Sequence, residues 1–250
     1  MKRTLLLATV FMAATFHVSA QSGAMGGPGV SVTRFFGSNS AFSSACDIVV
    51  TNADNAQVMS GTMKYAMLGD AVRTEIDMTQ MKSSQMPPGA VESMKKMGMA
   101  QTVSIARPDQ KMLYVIYPDL KDYARMPAPP AADNDTNKIE LTKLGEETID
   151  GHPCVKNKAV VTGDDGQAHE AILWNATNLK DFPVQIQSSE QGMTVTMRFK
   201  DINLAKPDAS LFDPPAGFTA YDGMQQMMMA VMQKSLKSAP APAPASPPPQ

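Results

Sequence analysis

Cysteine and histidine are scarce in this chain, and each shortage narrows its chemistry. Two cysteines and three histidines occur in 250 residues. Two isolated cysteines, Cys46 and Cys154, give no zinc or cofactor spacing. His17 lies in an N-terminal leader, while His152 and His169 have no acid or nucleophile at a motif spacing. A metal centre or a triad needs three converging groups, so the sequence points away from catalysis and names no cofactor. Charge of one sign is also lacking: 22 Lys and Arg stand against 24 Asp and Glu, for a net of −2. Losing Lys2 and Arg3 with the leader makes it −4 (−2 − 2). Such mild acidity argues against nucleic acid or a purely electrostatic grip on a membrane. No segment after the leader is long and apolar enough to cross a bilayer.

The leader itself is informative. Lys2 and Arg3, the apolar run Leu5 to Val18 and the small residues Val18-Ser19-Ala20 form the three regions of a secretory signal peptide. Export to the periplasm of a Gram-negative envelope, or secretion, is the expected address. In an oxidising compartment a Cys46–Cys154 disulfide is chemically favoured; two unpaired thiols in the core are the alternative.

Beyond the leader the dominant pattern has a period of two. Met193, Val195, Met197 and Phe199 alternate with Thr194, Thr196, Arg198 and Lys200. Phe182, Val184 and Ile186 alternate with Pro183, Gln185 and Gln187. One face of each strand is therefore buried and the other wet. Similar runs begin at Phe42 (Cys46, Ile48, Val50) and form a hairpin of Met63, Tyr65 and Met67 with Val72, Thr74 and Ile76 around Gly69-Asp70. Others cover 102–106, 111–117, 122–126, 139–149, 155–162 and 168–174.

Pro87-Pro88 opens a helix ending near Met97, with Gly98 as its stop. Asp222, with Gln225 three residues on, resembles a capping box for a helix carrying Met224, Met227, Met228, Val231 and Met232. With no β–α alternation, a doubly wound parallel sheet is excluded. The fold class is mainly β (α+β): one strongly curved antiparallel sheet, an open half barrel of about ten strands wrapped around one or more helices. The expected divisions are signal peptide 1–20, flexible leader 21–34, half-barrel domain 35–221, Met-rich helix 222–237 and Pro/Ala tail 238–250.

Several segments resemble known families. The run Arg107 to Pro118 and the Gly61 to Met78 hairpin resemble the sheet centre of the lipoprotein-localisation (LolA/LolB-like) fold. Gly145-Glu146-Glu147-Thr148-Ile149-Asp150-Gly151-His152-Pro153-Cys154 is similar to a segment of an exported bacterial family known only as a domain of unknown function. So are Lys206-Pro207-Asp208 through Phe212 and Pro214-Pro215-Ala216-Gly217-Phe218. The resemblance implies an eleven-strand-type half barrel with a helical lid over an apolar cavity. In the lipoprotein carriers that cavity takes acyl chains. Their helix-to-sheet arginine would correspond to Arg73, but the alternation places Arg73 on the polar face, so no such lock is assigned to this chain.

The functional expectation follows from area. About ten one-sided strands present more apolar surface than one short helix covers, so a terminal helix or a ligand must close it. The lining would come from Met63, Tyr65, Ile76, Val103, Leu113, Val115, Val184, Ile186, Val195 and Met197. The partner class is an apolar small molecule or lipid, with envelope proteins as a second class.

The 21 methionines cluster at 78–99 and 224–232. They suit an adaptable lid, gap-filling core or, in Met97 with Met99 or Met224 with Met227 and Met228, soft ligands for Cu(I). Asp164-Asp165 and Asp133-Asn134-Asp135 lack the spacing of a calcium loop. Trp174 belongs to a cavity rim or to the core.

Overall fold

Residues 32–128, 139–162, 168–190 and 192–238 are described by a computed structural model. The expected signal peptide, most of the leader, the loop from 129 with Asp133-Asn134-Asp135, the turn with Asp164-Asp165 and the tail from 239 lie outside them. The strands are β1 (Ala41–Thr51), β2 (Gln57–Leu68), β3 (Ala71–Asp77), β4 (Lys82–Ser83), β5 (Gln101–Arg107), β6 (Met112–Tyr117) and β7 (Asp122–Pro127). They continue with β8 (Ile139–Ile149), β9 (His152–Thr162), β10 (Ala168–Ala176), β11 (Phe182–Glu190), β12 (Met193–Asn203) and β13 (Thr219–Asp222). Helix α1 is Ala90–Lys96 and α2 is Met224–Ser238.

Among the described residues these strands make one sheet, in the order β13-β7-β6-β5-β3-β2-β1-β12-β11-β10-β9-β8, with β4 added to β2. It does not close, leaving β13 and β8 as edges. The fold class is as expected, with two amendments. Thirteen strands replace about ten, because β4 and β13 span only two and four residues and leave no periodic trace. The sheet is also not wholly antiparallel, since β13 runs parallel to β7.

Register explains the curvature. Extra residues interrupt the ladders at Ser43/Ala45, Val50/Thr51, Lys143/Gly145 and Trp174/Asn175. Each such bulge bends its strand and increases the local twist. Three connections share one design, a 3-10 turn at 108–110, 118–120 or 177–179 followed by Lys111, Lys121 or Lys180 at φ between 53° and 55°.

Ring contacts identify the concave face. Tyr65 on β2 meets Phe199 on β12 at 5.9 Å, although β1 lies between those strands. Phe42 on β1 meets Phe182 on β11 at 4.8 Å across β12. Side chains that touch over an intervening strand must lie inside the curve. Here the 3-10 helix Val32–Phe36 enters, and the Phe36 ring lies 4.6 Å from Phe42 and 5.3 Å from both Phe182 and Phe199.

The convex face is covered locally by the 3-10 turn Ala209–Phe212. Phe212 packs with Ala66, Val103, Ile105 and Ile116. Arg73 donates to the Leu211 carbonyl and Arg107 to the Phe212 carbonyl, pinning this segment. Arg73 is thus on the outer, polar side, as the alternation indicates.

Candidate functional site

The concave wall can be followed in rows, because directly opposed residues on neighbouring strands share a face. One row runs Leu173, Ile186, Met197, Ile48 and Gly61 across β10, β11, β12, β1 and β2. Another, nearer the far end of β1, runs Leu141, Ala159, Ala171, Ser188, Val195 and Val50. On the other flank Cys46 opposes Met63, and Met63 opposes Ile76.

Three internal covers lie on this wall. The aromatic plug of Phe36, Phe42, Tyr65, Phe182 and Phe199 seals the end where β1 begins. The segment after β3 then crosses the wall at Gly61. A methyl group there would overlap Met81 Sδ and sit 3.3 Å from Met81 Cα, so glycine lets the chain pass at close range. Third, α2 lies on β7, with Met227 and Val231 buried against Ala124 and with Leu120, Tyr117 and Tyr221 around them. Leu120 also touches the far end of the α1 segment, 2.9 Å from where a Gly98 methyl would stand. Leu120 therefore lies between the turn that ends the α1 segment at Gly98 and the buried side of α2.

Two ion pairs hold α2 and β13. Lys234 Nζ reaches the buried Asp122 at 2.8 Å, and Arg125 binds Asp222. The hydrogen bond to Asp122 pushes the Lys234 ammonium above its ordinary value, and that to Arg125 pulls the Asp222 carboxyl below its own. The expected capping box is different in detail. Gln226, not Gln225, accepts from the Asp222 backbone N–H, while the Asp222 carboxylate goes to Arg125.

Between the plug and α2 a strip of wall is only half covered. On β3 and β5 the concave residues Thr74, Ile76, Thr102 and Ser104 are all half-buried. Their neighbours on both flanks are sealed: Met63 and Tyr65 on β2, Val115 on β6 and Ala124 on β7. This strip, about two strands wide, is the candidate site. A second gap lies at the β8 edge, where Leu141 extends the wall and is 56% exposed.

Nine of the ten expected lining residues share the concave face. Ile76 stands in the strip, with Met63 and Val115 beside it. Val195 is half-buried in the outer row. Tyr65 belongs to the aromatic plug, where burial pushes its phenol up. Leu113, Val184, Ile186 and Met197 are buried floor. Val103 is a correction. It opposes Glu75 and Ile116 and packs under Phe212 on the convex side. Val103 and Ile105 alternate cleanly with Thr102 and Ser104, but the apolar side of β5 faces the convex cluster under Phe212 and not the concave wall.

Of the two cysteine alternatives the structure shows the second, unpaired thiols in the core. Cys46 and Cys154 are buried free thiols on β1 and β9, with β12, β11 and β10 between those strands. Burial pushes the Cys46 thiol up to about 12, and it raises Cys154 as well. His152 opens β9 beside Asn178, whereas His169 opposes Val161 at the far end of β9, so the two do not converge. Trp174 opposes Lys156 and Gln185, on the face opposite Leu173. Its indole N–H donates to Glu147 at 2.8 Å and the Lys156 ammonium stands 4.9 Å from the ring centroid. Of the two expected places, cavity rim or core, it takes the core: it is 5% exposed and packs in the main hydrophobic cluster, from the convex side.

Among the described residues no group of three His, Cys, Asp or Glu is placed to hold a metal, and no helix is long and apolar enough to cross a membrane. The model of a family described as a domain of unknown function, DUF4412, matches residues 49–181. No curated protein matches the chain. Among solved structures it is similar to an uncharacterised conserved protein from Thermus thermophilus, at 10% identity over 76% of this chain and 96% of that one, TM-score 0.43. It is also similar to LprF from Mycobacterium bovis, at 14% identity over 68% and 90%, TM-score 0.38. A LolA superfamily protein from Nitrosomonas europaea matches at 10% identity over 70% and 91%, TM-score 0.32.

Proposed function

The chain belongs to the DUF4412 family, and we propose that it is a non-enzymatic exported binding protein that holds a lipid, acyl chain or other apolar ligand against its concave wall. The observation that carries this reading is the half-covered strip on β3 and β5. Plug and α2 each bury what they touch, yet Thr74, Ile76, Thr102 and Ser104 between them stay half-buried. The apolar part of this strip, Ile76 and the methyl groups of Thr74 and Thr102, costs about 25 cal/mol per Å² when left in water. A guest that covers it recovers that free energy and supplies the driving force for binding. The ligand lies on Ile76, with Met63 and Val115 as banks and the methionines of α2 as an adaptable side.

The test is a titration of delipidated protein with the fluorescent apolar probe N-phenyl-1-naphthylamine. Saturable binding is expected, weakened at least about tenfold by Ile76→Arg, because a charge in an apolar groove must be desolvated. Leu211→Arg, on the convex turn, should leave binding unchanged. Binding that survives removal of Met224 onward would place the site on the sheet. No saturable binding, or equal effects of both arginines, overturns the proposal. A second reading is an envelope interaction protein whose cavity is closed by its own side chains. The sealed floor of Met63, Val184, Ile186 and Met197, each at most 3% exposed, favours it, and the same titration separates the two.

A further inference from the structure

A purely hydrocarbon groove would need no hydroxyls, yet this wall carries a row of them. Ser44 on β1 opposes Tyr65 on β2, Tyr65 opposes Thr74 on β3, and Thr74 opposes Ser104 on β5. Four hydroxyl side chains therefore stand side by side across four adjacent strands, a span of roughly 14 Å at the usual strand spacing. The rows above and below begin with Phe42 and Met67 on one side and with Cys46 and Met63 on the other. The row is thus set into an apolar surface.

Ser44 is 8% exposed, and its Oγ has no hydrogen-bond partner among the described residues. An unpaired hydroxyl in such a place is a cost that folding alone does not explain, and a bound acceptor would remove it. Thr74 and Ser104 belong to the half-covered strip, so a guest lying there can reach them. The row is built of neutral donors and contains no cationic side chain.

We infer that the ligand is a neutral amphiphile of the acylglycerol type, whose ester carbonyl and glycerol oxygens accept hydrogen bonds from Ser104 and Thr74 in the open strip, with Ser44 next along the row, while its hydrocarbon lies on Ile76. The inference rests on the proposed function and narrows its ligand class. An ester carbonyl matches neutral hydroxyl donors. A free carboxylate would have to shed its hydration without a cation from the row, and a plain hydrocarbon leaves Ser44 unpaired.

The experiment displaces N-phenyl-1-naphthylamine from the full exported chain with monolauroylglycerol, laurate or dodecane. The acylglycerol should displace the probe at a concentration at least about tenfold lower than either competitor, the difference expected of one or two satisfied hydrogen bonds. In Ser44→Ala/Thr74→Val/Ser104→Ala that preference, with each competitor read against the variant's own probe affinity, should fall to within about twofold. Ser104→Ala alone, at a half-buried position, should already reduce it should the triple variant fold poorly. Equal displacement by all three compounds, or a preference intact in both variants, overturns the inference and leaves apolar binding standing. Failure of the probe to bind at all overturns both.

Discussion

Replacing Phe36 by alanine removes the centre of the aromatic plug. The ring is 1% exposed and lies within 6 Å of four others, at 4.6, 5.3, 5.3 and 5.8 Å. A buried Phe→Ala change costs about 3–5 kcal/mol, and each ring pair adds ~0.5–1.5 kcal/mol beyond burial. With four such pairs lost, the upper end, about 5 kcal/mol, is expected. That lowers Tm by roughly 10–20 °C for a chain of this size. The range between 3 and 5 kcal/mol reflects how far the neighbours collapse, since ~24 cal/mol per Å³ makes 2 kcal/mol equivalent to about 80 Å³ of residual cavity. Phe42, Phe182 and Phe199 are anchored on three different strands, which limits collapse. Urea unfolding should therefore show a lower midpoint with an unchanged slope. Added benzene should restore part of the loss by filling a dry apolar hole. Probe binding in the β3–β5 strip should change by less than about twofold, because the plug seals the other end. A loss below about 1 kcal/mol would show that the ring is not the keystone of a filled plug, and would refute the assignment of a sealed and an open part to this wall.

Other consequences follow from single contacts. Gly61→Ala forces Met81 aside and should cost about 1–3 kcal/mol; pairing it with Met81→Ala should recover part of that in a double-mutant cycle, whereas strict additivity would place Met81 elsewhere. Neither Cys46 nor Cys154 should react with a thiol reagent until the protein unfolds, when two thiols per chain appear; a count of zero in denaturant would reveal a disulfide. The attachment of α2 should be insensitive to pH from about 5 to 9. The raised Lys234 gives stability that is full below its unfolded value near 10.4 and is lost as pH rises through the folded one. The lowered Asp222 gives stability present above about 3.9 and lost as pH falls through its folded value. Limited proteolysis that frees α2 near pH 7 would contradict both signs. Trp174 faces away from the concave wall, so its emission should not respond to an apolar ligand, and a large shift on binding would move the site.

Much of this architecture is a local property of the chain. Alternation in 193–199 records which atoms meet water, with Met197 and Phe199 buried, whereas in 182–186 the expected wet positions Pro183 and Gln185 are buried as well. Gly69-Asp70 and the Pro-Asp turns place the hairpins because backbone conformations of three or four residues decide them. Strands as short as β4 and β13 were invisible, since a pairing of two to four residues is imposed by the neighbour and not by the segment.

By itself, then, the sequence determined the alternation along most strands, the turns and the curved, mainly antiparallel sheet. Tertiary structure decided that Phe36 and not a ligand fills one end, that α2 lies on β7, that Val103 turns outward, and that Ser44, Tyr65, Thr74 and Ser104 fall into one row. The physical reason is separation along the chain. Period and turn chemistry act between residues a few positions apart, whereas Ser44 and Ser104 become neighbours only through the register of β1, β2, β3 and β5. The strip left half covered is a remainder, whatever surface the plug and α2 do not reach, and no local pattern encodes a remainder.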